Sequence, residues 1–257
     1  MEEVTPPNVE QRDQSLRQMI NLYIQFARMV SEKTGKSLEE TLLSYTPLYN
    51  RFQDYAPDPD KKVWNEYISG IGDMPLEEWT YRFYTERHKA GEEMQAKKRT
   101  EMRDGPRTSC FSYEVEGDTV YIHFTNKDRS GEGPLSEARR AERMKELKEL
   151  FMIIKARRPE VTRVCGGSWL YNIDAYRRLF PESYIQSARP NENETFSGMG
   201  IWGQFLDSER NVKQELVDQF LKKVPETDVA HLPEAFPYQL LKTEAPIQDF
   251  YKKYGIE

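Results

Sequence analysis

The sequence predicts an α/β (α+β) protein, with a helical N-terminal part followed by a mixed, partly parallel sheet and flanking helices. Apolar residues recur at helical spacing through the first part of the chain, and strand-like alternation begins near residue 109. A long helical segment then separates two strand-like segments, which indicates a crossover and a parallel strand pair. The charged stretch 88–107 separates the part with helical spacing from the part with strand-like alternation, so the predicted domains are residues 1–104 and 105–257.

The composition is that of a folded protein with a charged surface. Charged residues make up 31% of the 257 residues and aromatic residues 12%, and such an aromatic content argues against general disorder. The net charge of −6 lowers the expectation of nucleic-acid binding, and no apolar run approaches the roughly 20 residues of a membrane span. Residues 1–8 have no apolar run typical of a signal peptide, so we expect a cytoplasmic protein. The oligomeric state is not predicted.

The N-terminal part carries two clear helix signals and two weaker ones. Residues 13–31 form a helical stripe, and Ser37 with Glu40 has the spacing of a capping box that opens a second helix. Residues 64–71 indicate another helix, and Pro75 stands at the expected first turn of the next one.

The C-terminal part alternates strands and helices. Segments 109–115 and 119–124 alternate as strands around a hairpin turn at Gly117, and a long helix is predicted over 136–158. The remaining elements follow from shorter patterns. They are strands 161–164, 184–188 and 200–205, a short helix 174–180, a helix capped by Asp207 or Ser208, and a last helix within 246–254.

A glycine-containing loop leads into the long helix and is followed by cations. Gly131 and Gly133 precede Ser136, and Arg139, Arg140 and Arg143 fall in the first turns of the helix. Backbone N–H groups at a helix N-terminus attract anions, and cations there oppose the helix dipole unless an anion binds. The alternative is that the arginines pair with neighbouring glutamates in solvent, at Glu137, Glu142 or Glu146.

A second block, residues 164–172, has the composition of a pocket floor. Gly166 and Gly167 allow close approach of a ligand, and Ser168 offers a hydroxyl. Large or polar side chains beyond it could form a pocket wall, namely Trp169, Tyr171, Asn172 and, further along, Trp202. Core packing is the alternative for the tryptophans. Cys110 and Cys165 lack metal-ligand spacing, and no metal is predicted.

The order of these blocks resembles the GNAT-like C-terminal domain of a bacterial acyltransferase family. The blocks that carry the resemblance lie within residues 121–207. They are His123-Phe124, Gly133-Pro134-Leu135, an amphipathic helix, Cys165-Gly166-Gly167-Ser168-Trp169-Leu170, Leu179-Phe180-Pro181 and Ser183-Tyr184-Ile185. The chain differs in having Phe124-Thr125 where that family has Ile-Pro, and an additional glycine before Ser168.

The resemblance implies transfer of an acyl group from acyl-CoA, as co-substrate, to an amine or hydroxyl of a small-molecule acceptor. His123 would be the base, and Ser168 would donate to the oxyanion or to the leaving thiolate. The loop of Gly131 and Gly133, with Arg139 and Arg140, would hold the pyrophosphate. The alternative for His123 is a packed strand histidine.

Two other functions remain open from the residues. Ser168 could be the nucleophile of a serine hydrolase, with Asp207 or Asp218 and His231 following in the required chain order. Against this, the elbow motif lacks its last glycine and few strands precede the serine. The chain could also be a non-catalytic module that binds a small molecule or a protein.

Overall fold

A computed structural model describes residues 9–53, 58–98, 109–128, 131–191 and 196–257 of the chain. These residues fall into two compact units. The helical unit contains the described residues of 6–100 and 193–237, and the sheet unit contains those of 101–192 and 238–257. Among the described residues, no helix combines the length and the apolar character needed to cross a membrane.

The described residues form eleven α-helices and five strands. In chain order they are α1 (Val9–Thr34), α2 (Leu38–Tyr45), α3 (Leu48–Phe52), α4 (Lys62–Ser69), α5 (Leu76–Lys98), β1 (Phe111–Glu116), β2 (Thr119–Phe124), α6 (Arg140–Arg157), β3 (Arg163–Ser168), α7 (Asp174–Arg177), α8 (Glu182–Gln186), β4 (Arg189–Pro190), α9 (Met199–Trp202), α10 (Gln214–Lys223), β5 (Leu241–Pro246) and α11 (Ile247–Tyr254).

The helical unit has an aromatic core built on α1. The capping box at the start of α2 is confirmed: the Glu40 N–H donates to Ser37 Oγ at 3.2 Å, and the Ser37 N–H donates to the Glu40 carboxylate at 2.9 Å. Phe26 of α1 packs against Trp202 and Phe220, with ring centroids 5.5 and 5.2 Å apart. Because these late aromatics pack on α1, residues 196–237 belong to the helical unit, whereas the sequence assigned them to the α/β domain 105–257.

The sheet has the strand order β1-β2-β3-β5-β4. Strands β2 and β3 are parallel, as the crossover through α6 requires, and every other pair is antiparallel. Strand β5 was not predicted, because its segment mixes lysine, glutamate and proline with few apolar residues.

Two predicted strands are helical in the structure. Residues 184–188 lie largely in α8, which begins directly after Pro181, and 200–205 form α9 and a 3-10 turn. Both are short apolar segments, in which periodicity does not distinguish a strand from a buried helix. The long helix α6 begins at Arg140, four residues after the predicted start, because residues 136–139 form turns.

Side chains of the sheet alternate between two faces, following the pairing register. The core face packs under helices and carries Phe111, Tyr113, Val115, Val120, Ile122, Phe124, Val164, Gly166, Ser168, Leu241, Thr243 and Ala245. The polar face carries Ser112, Glu114, Glu116, Thr119, Tyr121, His123, Arg163, Cys165, Gly167, Arg189, Lys242 and Glu244.

Candidate functional site

The parallel strands β2 and β3 part before they end. Their pairing runs from Thr119 opposite Arg163 to Tyr121 opposite Cys165. Each strand continues for three more residues, 122–124 on β2 and 166–168 on β3. We call the space between these two ends the slot. In open α/β sheets, ligands bind in the crevice at the carboxyl ends of the strands, which is where the slot lies.

The slot exposes backbone groups that a parallel ladder would otherwise use. The bond after the last pair in the register would join the Gly167 N–H to the Ile122 C=O. On its other edge β3 remains paired with β5 as far as Ser168 opposite Leu241. This donor and this acceptor lie directly beyond the last pair of the ladder, where an extended ligand with amide or thioester groups could bond to them.

The two glycines of the slot differ in what surrounds them. A Cβ at Gly166 would collide with the hydroxyl oxygens of Tyr171 and Tyr184 on the core face. A Cβ at Gly167 would meet no atom within 4 Å, and the backbone there is not left-handed. Packing therefore requires the glycine at 166, whereas the glycine at 167 leaves open space on the polar face.

A pair of buried tyrosines closes the core side of the slot. The hydroxyls of Tyr171 and Tyr184 are hydrogen-bonded at 2.8 Å, and both side chains are buried. Burial raises the pKa of both phenols, that of Tyr184 well above its usual value, so both stay protonated at neutral pH. Tyr171, predicted as a pocket wall, is therefore a core residue that sits behind Gly166.

The predicted catalytic residues lie on opposite faces of the sheet. His123 shares the polar face with Gly167, whereas Ser168 shares the core face with Gly166. The Glu114 carboxylate lies 3.5 Å from His123 Nε2. The sheet therefore brings both residues to the slot but separates them by its thickness, so they do not form a directly bonded pair.

Ser168 caps a 3-10 helix, Trp169–Asn172. Its Oγ accepts the Leu170 N–H at 3.1 Å, which leaves its hydroxyl proton to donate elsewhere. The backbone of Ser168 is extended (φ −164°), unlike the sharp turn of a hydrolase nucleophile elbow. The hydrolase partners Asp207, Asp218 and His231 belong to the helical unit, where His231 contacts Glu234 at 3.1 Å.

The glycine loop adopts a backbone that few other residues tolerate. Gly131 and Gly133 have φ values of 81° and 79°. The Ser136 N–H donates to the Gly133 C=O at 3.2 Å, so a turn links the loop to α6. The structure therefore contains the predicted glycine-containing loop before the long helix, and its two glycines have positive φ values that favour glycine.

A buried ionic cluster fixes the loop to α6. Asp128 accepts from Arg139 Nε at 2.7 Å and lies 3.4 Å from Arg143 Nη1. Arg143 also contacts Glu142 and Glu146, at 3.2 and 3.1 Å. The side chains of Arg143 and Asp128 are only 2% and 3% exposed, so the pairing is a structural element of the unit and not a solvated surface contact.

The thiol of Cys110 lies inside the same cluster. Arg143 Nη1 donates to Cys110 Sγ at 2.6 Å, and the Cys110 N–H donates to the Glu146 carboxylate at 3.2 Å. Burial raises the pKa of both the Cys110 thiol and the Glu146 carboxyl. Cys110 is therefore a buried, protonated thiol.

Among the described residues of the loop and the start of α6, the arginines are paired with carboxylates. Arg140 contacts Glu137 at 3.3 Å, and the guanidinium of Arg178 is paired with the same carboxylate. Across the loop and the start of α6, four arginines are balanced by four carboxylates: Arg139, Arg140, Arg143 and Arg178 with Asp128, Glu137, Glu142 and Glu146. The pairing with glutamates left open by the sequence is present, but it is in solvent only at Arg140, whereas the contacts of Arg143 are buried and Arg139 also pairs with Asp128.

Within the part of the chain that the structure describes, three buried donor atoms beside the loop have no hydrogen-bond partner. They are Ser136 Oγ, Arg143 Nε and Arg178 Nε. Arg178 Nη2 donates to the Leu135 C=O at 3.0 Å, which places this guanidinium against the residue next to Ser136. Buried donors usually have a hydrogen-bond acceptor, so a bound anion or water could accept from these atoms. Arg178 was not singled out from the sequence, because its place in a short helix gave no functional signal.

The other predicted pocket residues lie in two places. Trp169 stacks on Tyr238 with ring centroids 5.7 Å apart, and the Asn172 side chain donates to the Trp169 and Gln239 carbonyls at 2.7 and 2.8 Å. Trp169 and Asn172 lie in the 3-10 helix that follows β3, directly after the slot. Trp202 is fully buried in the helical unit, where its Nε1 donates to the Phe196 C=O at 2.7 Å. Core packing, the alternative for Trp202, is what the structure has.

Comparisons of the chain with protein-family models, with curated proteins and with solved structures find no match. Within the described part of the chain, no group of three or more His, Cys, Asp or Glu side chains is arranged to bind a metal ion. The functional interpretation therefore depends on the geometry of the sheet unit.

Proposed function

We propose that the sheet unit is an acyltransferase that moves an acyl group from an acyl-CoA thioester to a small-molecule acceptor. The observation that carries the proposal is the slot, in which a parallel strand pair separates after Tyr121 and Cys165 and leaves open space at Gly167. An extended thioester with amide groups matches the facing backbone donor and acceptor of the slot. The resemblance of the surrounding sequence blocks to a GNAT-like acyltransferase domain supports the same function.

A ligand in the slot would be reached from both faces of the sheet. His123 on the polar face would accept the proton that the acceptor loses on attack. Ser168 on the core side could donate its hydroxyl proton toward the thioester oxygen or the leaving sulfur. The positions of the two residues on opposite faces thus suit two different roles at one ligand.

The diphosphate of the donor would bind at the glycine loop through groups other than those first expected. Arg139 is engaged by Asp128, so among the described residues we assign this role to the backbone of Gly131 and Gly133, to Ser136 Oγ and to Arg178 Nε. Arg140, exposed and paired with Glu137, would contribute little.

Thermal-shift measurements with CoA and acetyl-CoA test the proposal, together with thiol release in the presence of amines and alcohols. Binding to the folded protein raises the melting temperature, and turnover liberates free thiol. We expect a shift that Arg178→Ala abolishes and Arg140→Ala leaves nearly unchanged. A chain that no acyl-CoA stabilises at saturating concentration does not have this function.

A binding module without turnover is the second candidate. It is favoured by the separation of His123 and Ser168, which do not form a directly bonded reactive pair across the sheet. The same slot would then hold a ligand that is not consumed. A thermal shift with acyl-CoA, but no thiol release with any acceptor, would support this candidate over acyl transfer.

A further inference from the structure

We propose that Glu114 is a positioning residue for His123, and that the two serve a primary-amine acceptor approaching the polar face. The inference rests on the proposed acyl transfer and deepens it by naming the acceptor class. It adds Glu114, which was not among the residues singled out from the sequence, to the predicted base His123.

The hairpin register brings the two side chains together. Ser112 lies opposite His123 and Glu114 opposite Tyr121, so Glu114 is the diagonal neighbour of His123 on the same face. The Glu114 carboxylate lies 3.5 Å from His123 Nε2. At this distance the carboxylate acts on the imidazole through its charge, which favours the protonated form of the ring and the orientation that keeps Nε2 toward Glu114.

Both side chains are partly exposed to solvent, although the Nε2 atom of His123 is itself buried. The side chain of His123 is 35% exposed and that of Glu114 is 56% exposed. They stand beside the β2 end of the slot, while the open space at Gly167 marks its β3 end on the same face. An acceptor that reaches a thioester in the slot from the polar face therefore passes this pair.

The other titratable or charged groups on the polar face have their own surroundings. Glu244 pairs with Arg189 at 3.0 Å, and Arg163 donates to Thr119 at 3.1 Å. The titratable or charged groups that share the polar face with His123 are Tyr121 on its own strand, Glu114, Glu116, Arg163 and Cys165 on the adjacent strands β1 and β3, and Arg189, Lys242 and Glu244 on β4 and β5 beyond them. Of this set, Glu114 contacts His123, with its carboxylate 3.5 Å from Nε2.

The chemistry of the pair favours an amine. In the transfer step the acceptor nitrogen bonds to the acyl carbon, the carbon–sulfur bond breaks, and the sulfur leaves with its electron pair. The ammonium first loses one proton to water to give the amine, and the second proton, lost by the nitrogen on attack, passes to His123 and then to the thiolate, which becomes free thiol. An ammonium acceptor is attracted by the Glu114 carboxylate before it is deprotonated, whereas an alcohol gains no such attraction.

Nuclear magnetic resonance titration of the imidazoles tests the coupling without reference to activity. The chain has three histidines, so the His123 signal can be assigned by substitution. We expect Glu114→Gln to move the titration midpoint of His123 to lower pH. Glu116→Gln, on the same strand and face but opposite Thr119, is the matched control and should leave the midpoint unchanged.

Steady-state rates with acetyl-CoA test the role of the pair in transfer, with 2-phenylethylamine and 2-phenylethanol as acceptors of one carbon skeleton. We expect the amine to react faster, His123→Gln to slow it roughly 100-fold or more, and Glu114→Gln to slow it roughly 10-fold. The low-pH limb of the rate profile should move with the imidazole midpoint. The thermal shift with CoA should be the same in all variants.

The outcomes separate the two proposals. A wild-type protein that CoA does not stabilise removes the proposed function. Stabilisation by CoA combined with an unchanged His123 midpoint in Glu114→Gln, or with normal turnover in His123→Gln, leaves that function standing and overturns this inference. Faster transfer to the alcohol than to the amine also overturns it.

Discussion

Alanine at the two slot glycines should have opposite effects, because their neighbours differ. At Gly166 a Cβ meets the buried hydroxyls of Tyr171 and Tyr184, and overpacking of this kind costs about 1–3 kcal/mol. Alanine also lowers the entropy of the unfolded chain, which offsets about 0.4–1 kcal/mol. We therefore expect Gly166→Ala to lower the free energy of unfolding by about 1–2 kcal/mol after that offset.

Gly167→Ala is the matched control, one residue away on the same strand. Its Cβ meets no atom within 4 Å and its backbone is not left-handed, so only the entropic gain of about 0.4–1 kcal/mol applies. Urea unfolding measures both variants, and a change in midpoint without a change in slope reports stability.

The cause of the Gly166 effect can be tested by removing the hydroxyls. Adding Tyr171→Phe and Tyr184→Phe to Gly166→Ala deletes the two hydroxyl oxygens nearest to the new methyl group and leaves Tyr171 Cζ, at 3.1 Å, so part of the lost stability should return. Equal destabilisation by alanine at 166 and at 167 would refute the reasoning, since it would mean that position 167 is as tightly packed as position 166.

Three further predictions concern the rest of the chain. Arg143→Met should lower the free energy of unfolding by roughly 3–5 kcal/mol because it strands buried carboxylates, whereas Arg140→Ala, at an exposed pair, should cost less than about 1 kcal/mol by the same urea assay. Burial raises the pKa of the Glu146 carboxyl above its ordinary value of 4.5, so the folded protein holds this proton more tightly than the unfolded chain. The contribution of Glu146 to the free energy of unfolding therefore falls as pH rises from 4.5 through the raised value, and the stability of wild type relative to Glu146→Gln should be greater below pH 4.5 than at pH 7. A difference that does not depend on pH would contradict this. Ser37→Ala removes the cap of α2 and should cost about 1 kcal/mol, measured by thermal unfolding; an unchanged melting temperature would show that the cap is dispensable.

Much of the fold could be predicted from local patterns. The capping box at Ser37 and the hairpin around Gly117 have sequence signatures that do not depend on the rest of the chain. The crossover through α6 then required β2 and β3 to be parallel. The strand β5 escaped prediction because its pairing with β3 depends on contacts about 80 residues apart in the chain, and its own residues are largely polar.

The candidate site was predictable in composition but not in geometry. The sequence indicated that His123 lies in a strand and that the glycines and Ser168 follow a later strand, whereas the structure includes those residues in β3. It could not show that His123 and Ser168 fall on opposite faces, since a face is defined only by the pairing register. Nor could it show that Asp128, distant in sequence from the helix, would neutralise Arg139 and Arg143.

The function assigned to the sheet unit depends on whether the slot accepts a thioester ligand. Calorimetric titration of acetyl-CoA into wild type and into Gly167→Val measures this directly, with circular dichroism to verify that the variant is folded. We predict binding of one ligand per chain by wild type and its loss in the variant, because the larger side chain fills the open space at position 167. Equal binding by the two proteins, or none by wild type, would contradict the assignment of the slot as the ligand site.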